Sequence, residues 1–110
     1  MIDVRFLPNP FYDPKMRTLT GNDKLVSDFV LQNPTTEKFL DAWWSLLDVA
    51  MPGYVAEGKS HLSIAVGCTG GQHRSVYSAQ HLAEHIHEKF GIEVHVCHRE
   101  QGIEQTLEAK

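Results

Sequence analysis

His61-Leu62-Ser63-Ile64-Ala65-Val66-Gly67-Cys68-Thr69-Gly70-Gly71-Gln72-His73-Arg74-Ser75 organises this chain. Its first seven residues alternate large apolar with small or polar side chains. That pattern suits a central strand whose second face lies under a close-packed helix. After the glycine-rich turn, Val76, Ala79, Leu82, Ala83, Ile86 and Phe90 recur at steps of three and four and mark a helix of about four turns that Gly91 ends. Ile92 to Cys97 reads as the next strand. Strand, turn, helix and strand at this spacing form one βαβ unit, whose right-handed crossover sets the turn at the carboxyl edge of a sheet.

Working outward, Asn33 and Pro34 read as an N-cap and first helical residue, followed by a helical stripe of Phe39, Ala42, Trp43, Leu46, Leu47 and Ala50. Met51-Pro52-Gly53 is expected to break or kink that helix, and residues 54–60 to form a polar linker. Asp23 to Leu31 supports two helical turns with Val26, Phe29 and Val30 inward. Residues 8–22, with three prolines, read as a long ordered loop or one holding a short helix. Ile2 to Leu7 alternates as a strand until Pro8-Asn9-Pro10 stops it. From His98 to Lys110 the composition turns polar, and a fraying tail with at most a weak turn of helix is expected, residues 101–110 lying beyond the domain as a polar tail. The fold class is therefore α/β, a small, mostly parallel open sheet with helices on both faces.

With 110 residues the chain makes one domain with one core, and its net charge of -4 gives no general attraction to phosphate backbones or anionic lipid. No apolar run is long enough for a membrane span, and no basic segment precedes a hydrophobic one. A cytoplasmic protein without membrane contact is the expectation. Cys68 and Cys97 form no CxxC unit, in keeping with a reducing compartment.

The chemistry concentrates at residues 67–75. A glycine-rich turn between strand and helix presents backbone N–H groups beside the positive end of the helix, an anion seat. Gly70 and Gly71 permit close approach, Arg74 offers a fork matched to phosphate, and Thr69, Ser75 and His73 add donors. The Gly-Lys-Ser/Thr ending of a nucleotide P-loop is missing, as is the dinucleotide glycine spacing. Cys68 six residues ahead of Arg74 resembles the cysteine-phosphatase loop, in which a thiolate attacks phosphorus. Gly67 stands where those enzymes carry His, however, and only Asp13 and Asp23 offer a general acid. Arg5, Asn9 and Arg17 form a second group, which opens on the same crevice if the first strand is parallel to the others. His98 and Arg99 follow the third strand as rim residues. His81 and His85 lie one turn apart, but Glu84 is not interposed as in the hydrolase motif and no Cys or acid is placed to complete a tetrahedron, so the two are expected to flank the solvated face with Glu84 and Glu88, and no metal and no cofactor is expected. Trp43 and Trp44 cannot share a helical face. Trp43 is core, while Trp44 is left for the linker or a partner, and with Tyr54 it could anchor a homo-oligomer.

Asp3-Val4-Arg5-Phe6-Leu7-Pro8-Asn9-Pro10, Leu19-Thr20-Gly21-Asn22-Asp23, Pro52-Gly53-Tyr54, Glu57-Gly58-Lys59-Ser60-His61-Leu62, Gly67 through Val76 and His98-Arg99 together resemble the carboxyl-terminal domain of the RapZ/YvcJ family over about residues 2–100. The resemblance implies a fold like a phosphofructokinase subdomain and a non-catalytic, regulatory role. It also implies a ligand of the glucosamine-6-phosphate class, held by Thr69, Gly70, Gly71, His73 and Arg74, with Arg5, Asn9, Arg17 and His98 as weaker members. Family proteins join this domain to a P-loop domain that binds ATP or GTP, and some present a small regulatory RNA to an endoribonuclease. Nucleotide binding belongs to the P-loop domain, and the family's first strand ahead of Asp3 lies outside these residues. The tail carries one base against three acids, so RNA affinity is expected to vanish by physiological salt. A phosphorylated small molecule, a further copy of the chain and a regulatory protein remain as partners.

Overall fold

The computed structural model describes residues 1–58, 61–69 and 72–110. Along the chain come β1 (Ile2–Asp3), a short 3-10 helix (Pro10–Tyr12), α1 (Lys24–Leu31), α2 (Pro34–Ala56), β2 (Val66–Gly67), α3 (Arg74–Phe90), β3 (Val94–His98), a second 3-10 turn (Arg99–Gln101) and β4 (Ile103–Leu107). This is a small α/β domain with open sheets and helices on both faces.

The sheet is not mostly parallel. β1 and β2 pair in parallel, with Ile2 opposite Val66 and Asp3 opposite Gly67, whereas β3 and β4 pair antiparallel from Val94 opposite Leu107 to His98 opposite Ile103. The antiparallel half arises because residues 101–110 are not a fraying tail. Gly102 adopts φ +64°, a left-handed conformation open to a residue without Cβ, and turns the chain back so that β4 satisfies its backbone groups against β3. Lys110 closes the return, its N–H donating to the Gly91 carbonyl at 2.9 Å and its Nζ pairing with Glu88 at 2.7 Å.

The strands are shorter than their alternation suggests. β1 continues by one bond, Val4 N–H to the Gly67 carbonyl at 2.8 Å, and then turns, with Leu7 N–H donating to the Val4 carbonyl at 3.2 Å. Residues 61–65 make no ladder until Ile2 N–H reaches the Ala65 carbonyl at 2.7 Å.

α2 starts where its cap predicts, Asn33 Oδ1 accepting the Thr35 N–H at 2.8 Å. It then runs through Pro52 to Ala56, so the break at residues 51–53 does not occur and the first three residues of the expected linker are helical, while residues 59 and 60 of that linker lie outside the described residues. A proline inside a helix costs about 3 kcal/mol in isolation. Here Pro52 lies on the exposed side, and its neighbour Met51 is anchored in the core. The buried stripe is Leu40, Trp43, Leu47 and Met51, while Leu46 is 63% exposed and Ala42 also faces water. Val26 and Val30 of α1 and Leu82 and Ile86 of α3 meet that stripe, joined by Val4, Leu7 and Met16 from the amino-terminal loop. Among the described residues no helix is long and apolar enough to cross a membrane.

Candidate functional site

The parallel pairing of β1 with β2 brings residues 4–10, after β1, to one edge with Cys68, Thr69 and residues 72–74, after β2. Sequence spacing anticipates this convergence, and α3 begins there. The chemistry of its opening residues is directed at the loop. Gln72 Nε2 donates to the carbonyls of Arg17 and Leu19, each at 2.7 Å. His73 Nε2 lies 3.0 Å from the Met16 carbonyl, which can only accept, so this nitrogen carries the proton. Arg74 Nη1 donates to the Arg5 carbonyl and, at 3.2 Å, to the Leu7 carbonyl. Three consecutive side chains thus fasten three parts of the loop between residues 4 and 22 onto the start of α3.

Backbone approach completes the fastening. Gly21 N–H donates to the Gln72 carbonyl at 3.0 Å. A Cβ on Gly21 would stand 2.2 Å from the His73 carbonyl oxygen and 2.3 Å from the Tyr77 nitrogen. No side chain larger than hydrogen fits.

Ser75 is buried, and its N–H donates to Cys68 Sγ at 3.3 Å while its hydroxyl lies 3.2 Å from the same sulfur. Thr69 is exposed beside them. Gly70 and Gly71, both read as ligand-binding, lie outside the described residues. Asn9 Oδ1 accepts the Phe11 N–H at 3.1 Å and so caps the first 3-10 helix. Arg17 donates through Nε to the Phe11 carbonyl at 2.9 Å, with its guanidinium 5.1 Å over the Phe11 ring. Arg5 pairs with Asp3 through Nη2 at 2.7 Å, and hydrogen bonds from Arg5 hold the Asp3 carboxyl below its ordinary range.

His98 is buried at the end of β3, and its Nε2 donates to Gln80 Oε1 at 2.9 Å. Burial pushes its pKa below the usual value. The unfolded chain therefore takes up a proton at a higher pH than the folded one does. The stability linked to His98 is fully present above about pH 6.5 and is lost as pH falls from there through the depressed folded pKa. Urea unfolding midpoints of the wild type should fall between pH 7 and pH 5, and His98→Gln should flatten that slope; equal slopes would remove His98 as its source.

Sequence reasoning missed one cluster. His85 Nε2 bonds Asp48 Oδ1 at 3.0 Å and its ring stacks on Trp44, centroids 4.8 Å apart, while Lys89 pairs with Asp48 at 2.7 Å. His85 is therefore packed between α2 and α3, and Trp44 packs against α3. Only the i, i+4 spacing of Trp44 with Asp48 and of His85 with Lys89 hints at a clamp between two helices. Among the described residues no group of His, Cys, Asp and Glu could hold a metal ion.

Residues 1–102 match the family model described as the RapZ C-terminal domain. The chain is 53% identical over 100 residues to a nucleotide-binding protein of Lactiplantibacillus plantarum, covering 91% of this chain and 33% of that protein. It is 51% identical over 108 residues to a nucleotide-binding protein of Syntrophomonas wolfei (98% of this chain, 36% of that one) and 47% identical over 110 residues to one of Macrococcus caseolyticus (100% and 37%). The chain spans about a third of the length of these curated relatives. With nearly its whole length inside the family model, the chain belongs to the RapZ C-terminal domain family.

Proposed function

We propose that this chain is a regulatory domain that binds, without turning over, a phosphorylated amino sugar of the glucosamine-6-phosphate class at the edge where β1 and β2 meet the start of α3. One observation carries the reading. Arg74 is 4% exposed and among the described residues makes no salt bridge, its Nη1 donating to the neutral carbonyls of Arg5 and Leu7. A buried cation hydrogen-bonded to dipoles, with only the exposed Asp3 carboxylate near enough to feel its charge, leaves positive potential at the strand ends, and an anion seated there recovers Coulomb energy. The first turn of α3 carries no acidic residue to oppose it. Arg5 is exposed and can exchange Asp3 for a phosphoryl oxygen, which frees the Asp3 carboxylate for the sugar's ammonium group.

Calorimetry with glucosamine-6-phosphate, glucose-6-phosphate and inorganic phosphate tests this. Affinity should fall in that order. Arg5→Gln should weaken both sugar phosphates about tenfold, and Asp3→Asn should bring glucosamine-6-phosphate down to the level of glucose-6-phosphate. Equal weak binding of all three would end the proposal.

Cysteine-dependent phosphatase chemistry is the second reading, favoured by the Ser75 N–H aimed at Cys68 Sγ. Against it, Nη1 of Arg74 is engaged with the loop carbonyls. Wild type and Cys68→Ser should be equally inert toward an aryl phosphate; vanadate-sensitive turnover that depends on Cys68 would replace the sensor with an enzyme.

A further inference from the structure

α2 is apolar on two sides. One is the stripe of Leu40, Trp43, Leu47 and Met51 in the core, and a helix serving a single core carries its charges on the side opposite. Between Asp41 and Glu57, however, the helix has one charged residue, Asp48, and that carboxylate is taken up by His85 and Lys89 of α3. Leu46 is 63% exposed and Val49 80%. With the exposed Ala42 and Gly53 they form an uncharged ridge on the outward side, closed at its two ends by Lys38 and Glu57. Among the described residues neither Lys38 nor Glu57 makes an ion pair. Two features of the ridge serve nothing inside the chain. Gly53 is unfavourable within a helix, yet a Cβ there would meet nothing within 4 Å, so the fold itself does not call for glycine. Glu57 lies at the carboxyl end of α2, where the helix dipole repels an acid.

We infer that this ridge pairs with the same ridge of a second copy of the chain, the two α2 helices lying antiparallel about a two-fold axis between Leu46 and Val49. The spacing supplies the symmetry. Residues 38, 42, 46, 49, 53 and 57 follow at steps of 4, 4, 3, 4 and 4, the same read from either end. The axis sets Leu46 opposite Val49, Ala42 opposite Gly53 and Lys38 opposite Glu57 of the second copy. Glycine and alanine then let the backbones approach, and each Glu57 meets a cation and a helix dipole of reversed direction. Other registers lose this match. A slip of one turn in one direction sets Asp41 opposite Glu57 of the second copy, and in the other it leaves Lys38 opposite Gly53. Trp44 takes no part, because it stacks on His85. The ridge is about 28 Å long and one helix wide. That is less than the roughly 800 Å² per partner of a standard interface, so the dimer is reversible, with a dissociation constant of roughly 100 μM. The inference does not rest on anion binding.

Sedimentation of the 110-residue chain from roughly 5 μM to roughly 1 mM tests this, and wild type should pass from monomer to dimer across that range. Val49→Glu, which sets two like charges beside the axis, should hold the chain monomeric. Gly53→Leu should weaken the dimer by about tenfold or more, while its thermal midpoint at low concentration stays at or above that of wild type. Lys38→Glu and Glu57→Lys should each weaken association several-fold, and the two in one chain should restore it. Both reversals suit the dipole of their own helix, so the monomer keeps its fold. Three outcomes overturn the inference: a monomer at every concentration, which would hand the face to a different protein; a dimer that persists in both Val49→Glu and Gly53→Leu; or a double reversal that associates no more tightly than either single one.

Discussion

Gly21→Ala will lower the stability of this domain by about 3 kcal/mol or more, toward the upper end of what overpacking costs. The effect is steric, because the new methyl would occupy space held by backbone, the His73 carbonyl oxygen at 2.2 Å and the Tyr77 nitrogen at 2.3 Å. Backbone cannot swing aside as a long side chain would. Either the loop lifts or the first turn of α3 opens, and both routes break the Gly21 N–H bond to Gln72 along with the Gln72 and His73 bonds to Met16, Arg17 and Leu19. For a domain this size the thermal midpoint should fall by roughly 15 °C or more. Sugar-phosphate binding should disappear with it. A midpoint within two or three degrees of wild type would mean that the loop does not press on α3 (roughly 4–8 °C being the shift per kcal/mol).

Arg74→Ala is expected to cost about 2–4 kcal/mol, since it strips hydrogen bonds from two carbonyls, Arg5 and Leu7, that one charged donor now serves. The methyl that remains also leaves a space where a 4% exposed side chain was packed. Arg74→Lys should recover only part of the loss, because an ammonium on a flexible stem cannot reproduce a planar fork reaching both carbonyls. Salt should scarcely change the difference, as the partners are dipoles rather than exposed charges. Urea unfolding of wild type, Arg74→Lys and Arg74→Ala, at low and high salt, measures all three expectations. If Arg74→Ala unfolds at the wild-type midpoint, the guanidinium is not a fastening and its role is with the ligand alone. Combined with Gly21→Ala the cost should be less than additive, because both changes release the same loop.

Much of this architecture can be read locally. The stripe from Val76 to Phe90, closed by Gly91 at φ +64°, announces α3; Asn33-Pro34 announces the start of α2; Val26 and Val30 turn inward as their spacing predicts. These features depend on neighbours three or four residues away, and sequence alone determines them. Strands do not have that property. The alternation in residues 61–67 indicates an extended chain, but ladder bonds need a second strand alongside, and β1 reaches only Ala65 onward. A polar tail becomes β4 because β3 offers it an edge. α2 passes through Pro52 because tertiary packing of Met51 outweighs a local preference to stop.

The site divides in the same way. Residues 67–75 declare donors and a helix start from their own chemistry, and the convergence with Arg5 follows from the parallel register. Which acceptors those donors meet is a matter of three dimensions. Gln72, His73 and Arg74 find carbonyls 53 to 69 residues away in sequence, so donors that spacing alone would assign to a ligand are held by the protein's own loop. Composition and periodicity carry hydrogen-bonding capacity; only the folded chain, by bringing distant carbonyls within 3 Å or so, decides where that capacity is used.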